Sequence, residues 1–166
     1  MSDFERLFQA LGEGGVQFIV IGGFAAILHG SAHLTVDLDI SYSRDPENLK
    51  RLASALAPFQ PYPRGAPLGL PFLWDAETLR RGLNFTLTTA LGDIDLLGEI
   101  TEGGTYEDLL PHTDVVQVFG VECRCLGLRR LIQVKRAAGR PKDFEVTAEL
   151  EAILEERGDG GVGGAS

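Results

Sequence analysis

Residues 18–40 read FIVIGGFAAILHGSAHLTVDLDI. A β-branched run enters the pair Gly22-Gly23, a short apolar stretch follows, and after 13 intervening residues come Asp37-Leu38-Asp39. Successive side chains of a strand point to opposite faces. Asp37 and Asp39 therefore share one face, with Leu38 and Ile40 on the other. Aspartate is disfavoured inside strands, and two adjacent carboxylates repel each other. A bound cation is a physical reason to keep them together.

The same alternation recurs at Gly92-Asp93-Ile94-Asp95-Leu96-Leu97. If that strand neighbours the first, up to four carboxylates crowd one patch. Repulsion makes such a cluster costly to the fold, whereas two divalent cations bridging attacking and leaving oxygens explain it. Asp95, flanked by Ile94 and Leu96, is the third carboxylate; Asp93, directly after Gly92, has a turn-shaping role as its alternative. Hard oxygen ligands at this spacing suit Mg²⁺.

The glycine pair lets a phosphate approach the backbone where a helix begins with free N–H groups. Lys135 lies on the apolar stripe of a helix spanning Leu128 to Ala138. An inward lysine pairs with a cluster carboxylate or a substrate phosphate; a lysine snorkelling at the stripe edge is the equal alternative. Ser31 is a candidate phosphate contact. His29 and His33 read as loop residues near the site. Asp143, in the first turn of the last helix, complements the helix dipole.

The chain has 166 residues, 44% of them hydrophobic, and a formal net charge of −9. That length and composition predict one domain over residues 1–157 with a disordered glycine-rich tail over 158–166. The acidic balance disfavours a broad nucleic-acid face, although Arg129, Arg130, Arg136, Arg140 and Lys142 form a local basic group. No apolar run reaches the roughly 18 residues of a membrane helix, and the N-terminus lacks a signal-peptide pattern, so the expectation is a cytoplasmic protein without a membrane partner. Cys123 and Cys125 alternate on one strand and read as buried reduced thiols rather than zinc ligands.

The remaining pattern predicts an N-terminal helix with a capping box at Ser2-Asp3-Phe4-Glu5, strands near Gln17–Ile21 and Val36–Tyr42, and a short helix over Phe24–His29. A helix opens at Asp45-Pro46. Pro58–Pro71, with five prolines and two glycines, reads as a loop over the site without a regular element. A helix over Asp75–Gly82, a hairpin around Gly92, a helix over Thr105–Leu110 and a strand pair turning at Gly120 follow. Helices over Leu128–Ala138 and Pro141–Arg157 close the fold.

Gly22-Gly23, Asp37-Leu38-Asp39-Ile40 and Ile94-Asp95-Leu96 together resemble the nucleotidyltransferase superfamily of the DNA polymerase β type. The segment from Leu131-Ile132 through Lys135, Ala138-Gly139-Arg140 and Lys142-Asp143 is similar to small prokaryotic members, the minimal nucleotidyltransferases and AbiEii-type toxins. The resemblance runs from about Gln17 to Glu151. It implies an α+β fold, a mixed β-sheet with helices packed mainly on one face and two C-terminal helices. It implies transfer of a nucleoside monophosphate from an NTP to a hydroxyl acceptor: RNA such as tRNA, a partner protein or a small molecule. A toxin–antitoxin role with a cognate antitoxin is part of the same expectation.

Carried onto this chain, Gly22 and Gly23 hold the triphosphate with Ser31 and Lys135 as further nucleotide contacts. Asp37, Asp39 and Asp95 are the catalytic, metal-binding set for two Mg²⁺ ions, with Mn²⁺ as substitute. Asp95 also helps deprotonate the acceptor. His33 departs from the pattern, since many relatives have arginine there, two residues before the threonine. A non-catalytic nucleotide-binding or interaction module on the same fold is the alternative. A metal-dependent phosphohydrolase is a third reading, but no water-positioning base stands out for it.

Overall fold

The computed structural model describes residues 2–158. In chain order the elements are α1 (Phe4–Glu13), β1 (Phe18–Ile21), α2 (Gly22–Leu28), β2 (Asp37–Tyr42), α3 (Pro46–Leu56), β3 (Tyr62–Pro63), α4 (Ala76–Arg81), β4 (Asn84–Thr89) and β5 (Gly92–Leu97). They continue with β6 (Glu99–Ile100), β7 (Gly104–Thr105), α5 (Tyr106–Leu109), β8 (Thr113–Val118), β9 (Val121–Leu126), α6 (Leu128–Ala138) and α7 (Phe144–Arg157). Single 3₁₀ turns occupy Ala57–Phe59, Leu110–His112 and Pro141–Asp143. The expected tail from 159 onward lies outside the described residues; Gly158 itself ends α7 in a left-handed conformation.

Seven strands form one mixed sheet in the order β3-β4-β5-β2-β1-β9-β8, and β6 and β7 pair separately. The fold is therefore the expected α+β arrangement with a mixed sheet and two C-terminal helices. The two central strands are read differently by their sequences. All four residues of β1 are buried, as suits a strand covered on both faces. In β2, Leu38 and Ile40 are fully buried while Asp37 and Asp39 are half-buried, so one face is core and the other is the site.

The core layer packs behind Leu38, Ile40, Ile94 and Leu96. Phe18 and Val20 of β1 stand opposite Tyr42 and Ile40 in the antiparallel register. Phe8 of α1 packs on Phe18 and Phe24 with ring centroids 6.2 and 5.1 Å away. Leu7, Phe8 and Leu11 are fully buried, and each such side chain contributes roughly 1.5–3 kcal/mol of burial free energy. α3 lies against α1, and α4 against α3. Asn48, almost fully buried, ties α3 to the start of β1: its amide accepts from Gln17 N at 2.7 Å and donates to the carbonyls of Gln17 and Ser43.

Several local expectations need correction. Asp3, not Ser2, caps α1, because its carboxylate accepts from Arg6 N at 3.1 Å; Ser2 instead donates to the Val36 carbonyl. α2 starts at Gly22 and ends at Leu28. The proline-rich segment is not wholly irregular: Tyr62 and Pro63 add an edge strand to β4, where Pro lacks only an outward donor. The final helix begins at Phe144, since Pro141–Asp143 forms a separate 3₁₀ turn. The hairpin around Gly92 forms as expected, with Thr89 opposite Gly92, and Gly92 takes the left-handed φ of +121° that its turn needs.

Among the described residues no helix is long and apolar enough to cross a membrane.

Candidate active site

β2 and β5 run side by side and parallel, with Asp37 opposite Asp93 and Asp39 opposite Asp95. Four carboxylates therefore stand on one face of two strands. The register explains why: equal alternation on adjacent strands sends every odd residue to the same side. Oxygens of Asp37, Asp39 and Asp95 lie within 4.8 Å of one another. Burial and the charges of Asp95 and Asp37 push the Asp39 carboxyl up to about 7. Its Oδ1 is buried with no hydrogen-bond partner in the protein. A buried carboxylate oxygen left in that state costs free energy unless a cation meets it.

Gly22 sits directly beside this cluster. Its φ is +65°, and a Cβ placed on it would lie 2.2 Å from Asp39 Oδ2. A Cβ on Gly23 would lie 2.8 Å from Thr35 Oγ1. The pair is thus required by the close passage of the chain past Asp39, and it leaves the backbone open to the cleft.

One cavity of about 430 Å³ gathers Gly22, Gly23, Ser31, Asp37, Asp39, Asp95 and Lys135, the seven residues that the sequence assigns to metal and nucleotide. Its size falls in the ordinary range of ligand clefts, roughly 300–1,000 Å³. Arg140 and Lys142 add positive charge to its wall. The rest of the expected basic group does not join them. Arg136 pairs with Glu151, Arg129 donates to the Gly158 carbonyl, and Arg130 contacts His112.

Lys135 is 7% exposed, and its Nζ lies 3.8 Å from Asp143 Oδ1. Burial lowers its pKa, against the pull of Asp143 and Asp39. Asp143 is therefore more than a dipole complement: it stands before α7, is itself buried, and accepts from Arg140 Nε at 2.8 Å. Ser31 lines the cavity but gives its hydroxyl proton to Glu149. The same carboxylate accepts from Ala32 N at 2.9 Å and contacts His33 Nδ1 at 3.0 Å. His33 also lies 3.7 Å from Glu145, so its ring is turned to α7. His29 is not a loop residue at the site. It caps α2, is fully buried, and its Nε2 lies 2.8 Å from the Leu126 carbonyl. Cys123 and Cys125 are buried free thiols, and burial raises both, Cys123 to about 11.

The residue at the site that sequence reasoning missed is Arg64. It follows the edge strand β3 and reaches back over the sheet. Its guanidinium lies 2.7 Å from Asp95 Oδ1, 3.2 Å from Asp93 Oδ2 and 3.7 Å from Asp37 Oδ2. Asp93 thus belongs to the cluster, and the turn before it is made by Ala90 and Leu91, with Thr89 Oγ1 accepting from Leu91 N and donating to the Gly92 carbonyl. The only signal for Arg64 was its place within the proline-rich segment expected over the site.

No known family profile matches the chain. No curated protein sequence is significantly similar to it either. Solved structures are. A protein of Thermotoga maritima (TM1012) assigned as a nucleotidyltransferase superposes with a TM-score of 0.55 at 19% identity, over 93% of this chain and 91% of its own. The lincosamide antibiotic adenylyltransferase LnuA, with lincomycin bound, superposes at 0.60 with 12% identity, over 91% of this chain and 96% of its own. This chain has a nucleotidyltransferase fold. An antigenic nucleotidyltransferase-like protein of Paracoccidioides brasiliensis shares that fold at a TM-score of 0.55 and 12% identity, over 92% of this chain and 73% of its own. In the nucleotidyltransferase fold of this chain, the carboxylate face of β2 and β5 lines the cleft together with Lys135 of α6, Arg140 of the link after it and Lys142 of the 3₁₀ turn Pro141–Asp143.

Proposed function

We propose that this chain is a divalent-cation-dependent nucleotidyltransferase. It moves a nucleoside monophosphate from an NTP to a hydroxyl acceptor and releases pyrophosphate. The observation that carries the reading is the convergence of Asp37, Asp39 and Asp95 around the unsatisfied Oδ1 of Asp39, beside a glycine turn on a nucleotidyltransferase fold. Three hard oxygen donors fit Mg²⁺, and Mn²⁺ as its substitute. Asp37 and Asp39 would hold both ions, with Asp95 joining the second. When bound, the cations would offset phosphate charge and lower the pKa of the attacking hydroxyl.

The residues of the chain supply the rest. Gly22 and Gly23 leave room for phosphate oxygens against the backbone. Lys135, Arg140 and Lys142 put positive charge on the wall that a triphosphate would face, and Ser31 lines the same wall. The acceptor oxygen attacks the α-phosphorus, the bond to the β-phosphate's bridging oxygen breaks, and pyrophosphate leaves with that electron pair. Asp95 takes the acceptor's proton. Positioning and charge stabilisation account for most of the rate in such chemistry.

The test is incubation with each labelled NTP and Mg²⁺, offering total RNA, cell protein and small hydroxyl compounds in turn. Label should pass to one pool and be lost with EDTA and in Asp39→Ala. A specific observation favours a second reading, a non-catalytic nucleotide-binding module: Arg64 already neutralises part of the cluster. NTP binding by calorimetry without transfer to any pool would decide for that module.

A further inference from the structure

Arg64 stands where a cation is expected, and its contacts are uneven. NH2 makes an aligned hydrogen bond to Asp95 Oδ1 at 2.7 Å and another to the Leu87 carbonyl at 2.7 Å. Nε is 3.2 Å from Asp93 Oδ2 yet lacks a hydrogen-bonded partner, and NH1 is 3.7 Å from Asp37. Asp39 receives nothing from Arg64, although its Oδ1 is the buried oxygen in need of a partner. One guanidinium among four carboxylates leaves the patch anionic. It offsets the repulsion and does not remove it.

We propose that Arg64 is the resident counter-ion of the carboxylate cluster and yields its place to the divalent cation. This rests on the reading of Asp37, Asp39 and Asp95 as a cation site. A divalent ion carries twice the charge of a guanidinium and can reach the oxygen that Arg64 leaves bare. The exchange needs only a side chain to move. The backbone at residue 64 is held separately, by its N–H to the Thr86 carbonyl at 2.9 Å and by Tyr62 and Pro63 pairing with Thr88 and Leu87. The side chain is 27% exposed and lines the cavity beside the carboxylates, so solvent-filled space adjoins it. Once released from Asp95, Arg64 remains tethered at the cleft wall and is available to an anionic ligand there. Cation loading would then release Asp95 from Arg64 and make a phosphate-binding guanidinium available in one event.

The protein is titrated with Mn²⁺ alone, and free ion is followed by electron paramagnetic resonance. Removing a competing charged hydrogen-bond partner should tighten Mn²⁺ binding in Arg64→Gln about tenfold over wild type. Equal or weaker binding in a folded Arg64→Gln protein overturns the exchange while leaving the cation site intact. Mn²⁺ binding by Arg64→Gln but not by wild type would show that Arg64 holds the cluster against the cation, and overturns the exchange. Absence of Mn²⁺ binding in both overturns the cation reading itself, and the exchange with it. A second measurement needs no mutation. The Nε–H resonance of Arg64 should shift as Mg²⁺ is added to wild type. If it stays fixed while the Asp39 amide moves, the exchange does not occur.

Discussion

Asp39 and Asp95 stand in register across β2 and β5, yet of the two only Asp95 is held by Arg64. Asp39 is left with a buried, unpartnered oxygen beside two like charges. Without a cation this residue burdens the fold. Asp39→Asn removes the charge at nearly constant volume and should stabilise the cation-free protein by about 1 kcal/mol or more. The measurement is the denaturant midpoint in EDTA. The same variant should lose the stabilisation that Mn²⁺ gives wild type. A lower midpoint in EDTA would show that the Asp39 charge is satisfied within the protein.

Gly22 tests the approach of the turn to that carboxylate. Any side chain meets both the left-handed φ of +65° and Asp39 Oδ2, 2.2 Å from an added Cβ. Gly22→Ala should cost roughly 1–3 kcal/mol in stability and weaken Mn²⁺ binding as Asp39 is displaced. Gly65 has a positive φ of +80° but nothing within 4 Å of an added Cβ. Gly65→Ala should therefore cost only about 1 kcal/mol and leave Mn²⁺ binding unchanged. Equal effects of the two substitutions on Mn²⁺ affinity would refute the steric argument.

The carboxylates were legible because their signal is local. Asp37, Asp39 and Asp95 break the usual strand composition at a fixed period of two, and the same period places Leu38, Ile40, Ile94 and Leu96 in the core. Two strands with that pattern still do not say that they are neighbours; the parallel pairing of β2 with β5 is a long-range fact. Arg64 shows the limit more sharply. It lies among prolines and glycines with no periodicity, and a two-residue edge strand aims it. Glu149 is similar, because nothing along α7 announces that one glutamate collects Ser31, Ala32 and His33 from a loop far back in the chain.

That Glu149 clasp has a pH signature. Hydrogen bonds from Ala32 N–H and the Ser31 hydroxyl, with His33 beside them, hold its carboxyl below the ordinary value of 4.5. A folded carboxylate that binds its proton less tightly than the unfolded one stabilises the fold above that ordinary value. The contribution is lost as pH falls through the lower, folded value. Glu149→Gln should cost about 1 kcal/mol near neutral pH, a modest figure because the site is partly exposed. The gap to wild type in urea melts should narrow as pH falls below that ordinary value. A gap that stays constant across this range would mean that the loop is held by something other than the charge.

The two thiols provide a check on the core. Cys125 is fully buried in β9 and Cys123 nearly so, and burial raises both thiols. Thiolate is the reactive form, so native protein should resist iodoacetamide. Alkylation should be on the order of a hundredfold slower than in unfolded chain, set by the opening equilibrium. Rapid native labelling at Cys125 would place β9 outside the core.

Lys135 separates a structural role from a ligand role. It is buried against Asp143, which also has Arg140, and lies near enough to Asp39 for their charges to interact. If Lys135 served only to neutralise Asp143, Lys135→Met would chiefly lower stability, because removing one partner of a buried pair strands the other. Arg140 is already bonded to Asp143, so that loss should stay near 1–2 kcal/mol. If the lysine faces a triphosphate, the larger effect is on binding: NTP affinity by calorimetry should fall about tenfold or more with the fold retained. Asp143→Asn completes the argument, since it leaves Lys135 in place without its carboxylate partner. A phosphate-facing lysine should then bind NTP at least as tightly as in wild type. A loss of affinity in Asp143→Asn equal to that in Lys135→Met would assign Lys135 to holding the 3₁₀ turn rather than to the nucleotide.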